Sequence, residues 1–139
     1  KLMIIGYTSG VYDLFHVGHL NILRKAKSMC DKLIVGVTTD ELAREKVRKT
    51  VIPFNERIEI IQSIIYVDTA VPQDTYDKMS AWQKYKFDLM FVGDDWQNSN
   101  RFTEVEQKLK KQNVKIIYFP YTKSTSSTLI NKTLVSLRK

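Results

Sequence analysis

The stretch from Leu2 to His19, LMIIGYTSGVYDLFHVGH, passes from an apolar run through a loop of glycine and small hydroxyl residues into a segment of helical period. It also holds both histidines of the 139-residue chain. An apolar run without polar alternation reads as a strand covered on both faces. After it, Leu20, Leu23, Ala26 or Lys27, and Cys30 recur three to four residues apart, which is the spacing of one helix face. A strand, a glycine-bearing loop and a helix in that order form the first half of a β-α-β unit. Gly18 allows close backbone approach, and a helix starting there offers unpaired amide N–H groups and the positive end of its dipole, an anion site. His16 and His19, three apart across that first turn, are spaced to donate hydrogen bonds to a bound phosphate as charge develops on it. The competing reading is two ordinary helix-cap or core histidines. A zinc site lacks the additional His or Cys ligands it would need.

The rest of the chain repeats the alternation. Strands are predicted at 2–7, 33–37, 69–71, 89–92 and 115–119, and helices at 18–30, 54–66, 76–86, 100–112 and 126–137. Ile58, Ile61, Ile64 and Ile65 mark the inner face of the second helix, Pro53 opens it, and Gly93 closes the fourth strand. Five apolar strands alternating with helices imply right-handed crossovers and an α/β fold. The expectation is one domain over residues 1–139, an open, doubly wound, parallel five-stranded sheet with helices on both faces. With strand order 3-2-1-4-5 the winding reverses between strands 1 and 4. The loop from Thr8 to Asp13 and the stretch Gly93-Asp94-Asp95-Trp96 then meet in one crevice at the carboxyl ends.

Composition narrows the partners. With 43% hydrophobic residues the chain buries a core without disulfide or metal staples. Its net charge of +7 points to an anionic partner, which nucleic acid, a membrane surface or small phosphorylated molecules would each satisfy. The cations are scattered over REKVRK at 44–49, KLKK at 108–111 and Arg138-Lys139, and aromatics do not interleave with them as a base-stacking platform requires. The single cysteine, Cys30, falls on a predicted inner helix face, which argues for a reducing compartment. A cytoplasmic, non-membrane protein is expected, since no secretory leader is evident and no apolar run approaches the ~20 residues of a membrane helix.

Several motifs in colinear order resemble a known family. They are GVYDLFHVGH at 10–19, TTDEL at 38–42, Lys46 to Arg48, Asn55-Glu56-Arg57, Tyr66-Val67-Asp68, GDDW at 93–96 and Ser126-Ser127-Thr128. Together they resemble the HxGH nucleotidyltransferases, and among them the bacterial glycerol-3-phosphate cytidylyltransferases. The resemblance implies a Rossmann-like fold and a reaction in which a phosphate oxygen of the acceptor attacks the α-phosphorus of CTP, giving a CDP-alcohol and pyrophosphate. It implies catalytic roles for His16, His19, Lys46 and Arg57. Nucleotide contacts are implied at Ser9, Gly10, Val11, Tyr12, Gly18, Gly93, Asp94, Thr122, Lys123, Ser126, Ser127 and Thr128, and acceptor contacts at Asp13, Asp40, Arg48 and Arg57. Mg²⁺ accompanying the nucleotide phosphates and a homodimer are further implications. Asp13 also reads as a loop-fixing carboxylate, and Ser126 or Ser127 as a plain helix cap.

The chain departs from the family at its RTxGISTT-like segment, here Tyr121 to Thr128. Tyr121 stands for the arginine and Ser124 for the glycine, so Lys123 is the candidate replacement for a lost phosphate contact. Phosphocholine, phosphoethanolamine or another polyol phosphate are alternative acceptors, and an adenylyltransferase is an alternative within the same superfamily. A basic nucleic-acid-binding module and a nucleotide-binding regulator without turnover are the readings outside catalysis.

Overall fold

The computed structural model describes residues 2–46, 49–93, 100–120 and 127–137. Five parallel strands, β1 (Ile5–Gly10), β2 (Lys32–Thr38), β3 (Thr69–Gln73), β4 (Leu89–Gly93) and β5 (Lys115–Phe119), form one sheet in the order β3-β2-β1-β4-β5. Among the described residues six helices connect and follow them: α1 (Val17–Ser28), α2 (Asp40–Lys46), α3 (Phe54–Gln62), α4 (Lys78–Tyr85), α5 (Asn100–Lys110) and α6 (Ser127–Leu137). The α/β class and the 3-2-1-4-5 order are those expected.

Alternation along β2 explains the two helical layers. Leu33, Val35 and Val37 point to one face and pack with Leu23 and Ala26 of α1 and Ile61 of α3. Ile34 points to the other and packs with Phe87, Met90 and Leu109. Gly36 lies on that second face because a Cβ there would stand 2.5 Å from the Tyr7 hydroxyl oxygen.

Several boundaries shift by a few residues, and three departures from expectation stand out. The first strand runs 5–10 rather than 2–7: Leu2 and Met3 are exposed, while the polar Thr8, Ser9 and Gly10 find backbone partners in Val35, Gly36 and Val37 of β2. The second helix stops at Gln62 rather than residue 66, with Ser63 as its C-cap, and Ile65 beyond it is 86% exposed. Residues 40–46, where no helix is predicted, form a helix that buries Leu42 and Ala43. It carries Asp40 and Glu41 in its first turn and Arg44 and Lys46 in its last, in keeping with the helix dipole. Among the described helices none is long and apolar enough to cross a membrane.

The β1–β4 pairing runs from Gly6↔Leu89 to Tyr7↔Met90, whereas β1 stays paired with β2 as far as Gly10↔Val37. Beyond Tyr7 the buried Thr8 side chain reaches across, its Oγ1 donating to the Phe91 carbonyl at 3.0 Å. The sheet opens at this point, where its winding reverses.

Candidate active site

A cleft of about 340 Å³ occupies that opening, with Ser9 to Tyr12, His19, Lys46 and Gly93 in its walls. Four further residues that sequence reasoning passed over line it as well: Thr38, Gln73, Tyr76 and Lys78. A usable signal existed for Lys78. Asp77 precedes a helical run and caps it through the Met79 N–H at 3.0 Å, which puts residue 78 in the first turn after a strand's carboxyl end.

The histidines cap the helix they open. His16 is the N-cap of α1, and its Nδ1 accepts the Gly18 N–H at 3.0 Å; the His16 N–H in turn donates to Nδ1 of His19 at 3.3 Å. A ring nitrogen that accepts a backbone N–H carries no proton, so both imidazoles hold theirs on Nε2. The rings stack with centroids 4.0 Å apart, and His19 also meets Tyr12 edge-on at 5.4 Å and Phe15 at 5.3 Å. Burial lowers the pKa of His16. Burial and then the neighbouring His16 pull that of His19 down to about 4, against the pull of Asp13. At neutral pH the pair presents two uncharged Nε2–H donors.

This depression has a measurable consequence. Between pH 7 and pH 5 the unfolded chain takes up a proton on residue 19 that the folded chain refuses, so stability falls as pH falls. The size is about 1–2 kcal/mol for a group titrating near 6.5 unfolded and near 4 folded. Urea unfolding at both pH values is expected to show that loss in the wild type and a smaller loss in His19→Asn; equal losses would remove His19 as its source.

The loop between β1 and α1 is conformationally costly. Tyr12 (φ 55°) and Leu14 (φ 52°) both lie in the left-handed region, which costs a non-glycine residue about 1 kcal/mol or more. Surrounding contacts hold it. The Tyr12 ring is buried, and the Asp13 carboxylate accepts the Val51 and Ile52 N–H groups at 2.8 and 2.9 Å. The Val11 carbonyl accepts from Arg57 Nη1 at 2.7 Å. Asp13 therefore fixes the loop, one of the two roles its sequence position allowed.

The expectation that Arg57 contacts the acceptor phosphate is corrected by its surroundings. Arg57 is 1% exposed. Its Nε donates to the Ile52 carbonyl at 2.8 Å, its Nη1 to the Val11 and Thr38 carbonyls at 2.7 Å each, and its Nη2 to Asp40 Oδ1 at 2.6 Å. The Asp40 carboxylate is likewise committed, accepting from the Thr50 hydroxyl and the Phe54 N–H. Burial opposes its ionisation, but the Phe54 N–H, Arg57 and Thr50 outweigh that and hold its pKa below the usual range. Arg57 and Asp40 form a brace beneath the cleft, holding the carbonyls of Val11, Thr38 and Ile52 together.

On the far wall stand two lysines. Lys46 Nζ lies over the Tyr76 ring, 4.3 Å from its centroid, and Lys78 Nζ donates to Ser9 Oγ at 3.3 Å. Burial, then the nearby Lys46 charge, lowers the pKa of Lys78 to about 8. Gly18 is buried in the first turn of α1, its N–H given to His16. Ser127 and Thr128 open α6, and their side chains are outside the description. Arg48, Asp94, Asp95, Trp96, Thr122, Lys123 and Ser126 lie outside the described residues. Among the described residues no three His, Cys, Asp or Glu side chains converge as a metal site, and no carboxylate lines the cleft.

A neutral donor at His19, backed by the stacked His16, and two cations in one cleft are suited to binding phosphates and stabilising charge on them. The chain is 36% identical over 131 residues to a glycerol-3-phosphate cytidylyltransferase of Bacillus spizizenii, covering 94% of this chain and 96% of that protein. It is 34% identical over 128 residues to one of Staphylococcus aureus, covering 91% and 92%. A lipopolysaccharide core biosynthesis protein of Thermoplasma volcanium superposes with a TM-score of 0.73 at 28% identity, over 88% of this chain and 99% of that one. The family model described as cytidylyltransferase-like matches residues 7–133, and by that match together with these identities the chain belongs to the cytidylyltransferase-like family.

Proposed function

We propose that this chain transfers the cytidylyl group of CTP to a small phosphorylated alcohol, with glycerol 3-phosphate the leading acceptor, releasing pyrophosphate. The observation that carries the reading is the neutral imidazole of His19, stacked on that of His16, sharing a cleft with Lys46 and Lys78. An oxygen of the acceptor phosphate forms a bond to the α-phosphorus as the bond from that phosphorus to the bridging oxygen breaks, and pyrophosphate leaves with the electron pair. The nucleophile is already an anion, so no protein base is required. His16 and His19 donate Nε2–H bonds to oxygens whose charge grows in that step, while Lys46 and Lys78 offset the repulsion between the two phosphates.

Lacking carboxylates, the described cleft would receive Mg²⁺ already bound to triphosphate oxygens, which suits an ion that keeps several waters; when bound it supplies charge neutralisation on the leaving group. The names of the two relatives support glycerol 3-phosphate, and the positive cleft favours an acceptor without a cationic head over phosphocholine or phosphoethanolamine. A homodimer and a cytoplasmic setting belong to the same proposal.

Incubation with CTP, Mg²⁺ and glycerol 3-phosphate is expected to yield CDP-glycerol and pyrophosphate in equal amounts. Faster release with ATP would move the chain to the adenylyltransferases, faster release with phosphocholine would change the acceptor, and CTP binding with no release in any pairing would make it a regulator.

Lys78 supplies a pH dependence. Glycerol 3-phosphate is a dianion above pH ~7, its second pKa being about 6. Lys78, with a pKa of about 8, loses its charge above that pH and must regain the proton to hold the dianion. The acceptor KM is therefore expected to rise roughly five- to tenfold from pH 7.5 to pH 9 and to stay nearly flat in Lys78→Arg. A flat wild-type profile would exclude Lys78 from acceptor binding.

A further inference from the structure

Tyr76 follows the carboxyl end of β3 and precedes Lys78 by two residues, yet it touches α2 in two places. Its hydroxyl donates to the Leu42 carbonyl at 3.1 Å, one helical turn before Lys46. Its ring lies beneath the Lys46 ammonium, with Nζ 4.3 Å from the centroid. We propose that Tyr76 is a positioning residue that aims Lys46 at the acceptor phosphate by gripping both the Leu42 carbonyl of α2 and the ammonium itself. This inference rests on the cytidylyltransferase reading above.

The physical case has three parts. Helix α2 is seven residues long and buries only Leu42 and Ala43, too short to be stable in isolation, so its last turn depends on what it leans against. Lysine is a flexible stem with a compact charge, free to swing into solvent unless something confines it. Lys46 and Lys78 line one cleft as like charges, and burial first and the Lys46 charge second lower the pKa of Lys78; the negative face of the Tyr76 ring holds the Lys46 charge in the cleft despite that repulsion. Burial and the nearby Glu45 raise the pKa of the Tyr76 hydroxyl, so it remains a donor throughout the working range. Ring and hydroxyl act on different parts of α2, so their contributions separate in Tyr76→Phe and Tyr76→Leu.

The test is a double-mutant cycle on KM. Tyr76→Leu is expected to raise the KM for glycerol 3-phosphate about tenfold, with the KM for CTP within twofold of wild type. Tyr76→Phe, which keeps the ring, is expected to raise the acceptor KM about threefold. In a Lys46→Gln background neither substitution is expected to add more than twofold. An unchanged acceptor KM in Tyr76→Leu, or the same increase in both backgrounds, would overturn the proposal, the latter by making Tyr76 a general support. Should Tyr76→Leu fail to fold, Tyr76→Phe in the two backgrounds decides by the same criterion. A wild-type chain that transfers no CMP to glycerol 3-phosphate overturns the functional reading itself, whereas an active wild type with a flat Tyr76 series overturns only this inference.

Discussion

His19→Ala is expected to lower kcat by about 10²–10³-fold, the cost of deleting one preorganised donor to developing charge, while the KM for CTP changes by less than about threefold. The asymmetry follows from what His19 is in the free protein. Its Nδ1 is occupied by the His16 N–H and its ring is fixed by stacking on His16 and by Tyr12 and Phe15. The Nε2–H therefore points where it does at no further cost when the transition state forms. An uncharged donor attracts ground-state triphosphate weakly, so its absence is felt when charge accumulates. His16 needs a different variant, because alanine there would also strip the cap from α1. Asn at position 16 still accepts the Gly18 N–H as a good N-cap but cannot extend a donor as far as an imidazole. His16→Asn is thus expected to fold normally and still lose about 10²-fold in kcat. Steady-state kinetics of both variants check this, and near-wild-type turnover in the two would sink the transition-state role.

Legibility in the sequence followed the reach of each signal. Strand order and helix placement depend on apolar runs and three-to-four spacing, which are local, and both were readable. The HxGH spacing was readable too, since three residues on a helix turn fix their own geometry. Helix α2 was not. DELAREK contains two buried residues, Leu42 and Ala43, and otherwise looks like a solvated charge run. Arg57 shows the limit most clearly. The family resemblance implies that the arginine after Asn-Glu at this helix start is a phosphate ligand. Its actual partners, the carbonyls of Val11, Thr38 and Ile52 and the carboxylate of Asp40, come from three separate segments that only the finished fold brings together. Lys78 and Tyr76 were missed for the same reason: their neighbours Ser9, Leu42 and Lys46 are 30 or more positions away in the chain.

Arg57→Met carries the largest expected loss of stability, about 2–4 kcal/mol, set mainly by the buried carbonyls left without a donor, since the Asp40 carboxylate is 32% exposed and keeps the Thr50 and Phe54 donors. Methionine retains most of the apolar stem, so the loss is not chiefly a cavity effect. Three carbonyls and the Asp40 carboxylate would each lose a donor, and unsatisfied buried groups cost roughly 1–3 kcal/mol apiece before relaxation and water entry reduce the total. Lysine at 57 is expected to recover little, since three donors on one nitrogen cannot match a planar fork that serves four acceptors. The ionic part has a defined pH window. Asp40 has a lowered pKa in the folded chain, so its contribution is present above its ordinary pKa near 4 and is lost as pH falls through the folded value. The wild-type advantage over Arg57→Met in urea unfolding should therefore be largest near neutrality and narrow below about pH 4, leaving the part due to the carbonyl bonds. The same variant also tests the link to function: releasing the Val11 carbonyl removes one of the restraints on the strained Tyr12–Leu14 turn that leads into His16 and His19. Variant protein that remains folded below its unfolding midpoint should accordingly show reduced kcat although Arg57 is buried beneath the cleft. Stability within about 1 kcal/mol of wild type at pH 7 would mean that water replaces the guanidinium at little cost, and the brace would then not be what holds the loop.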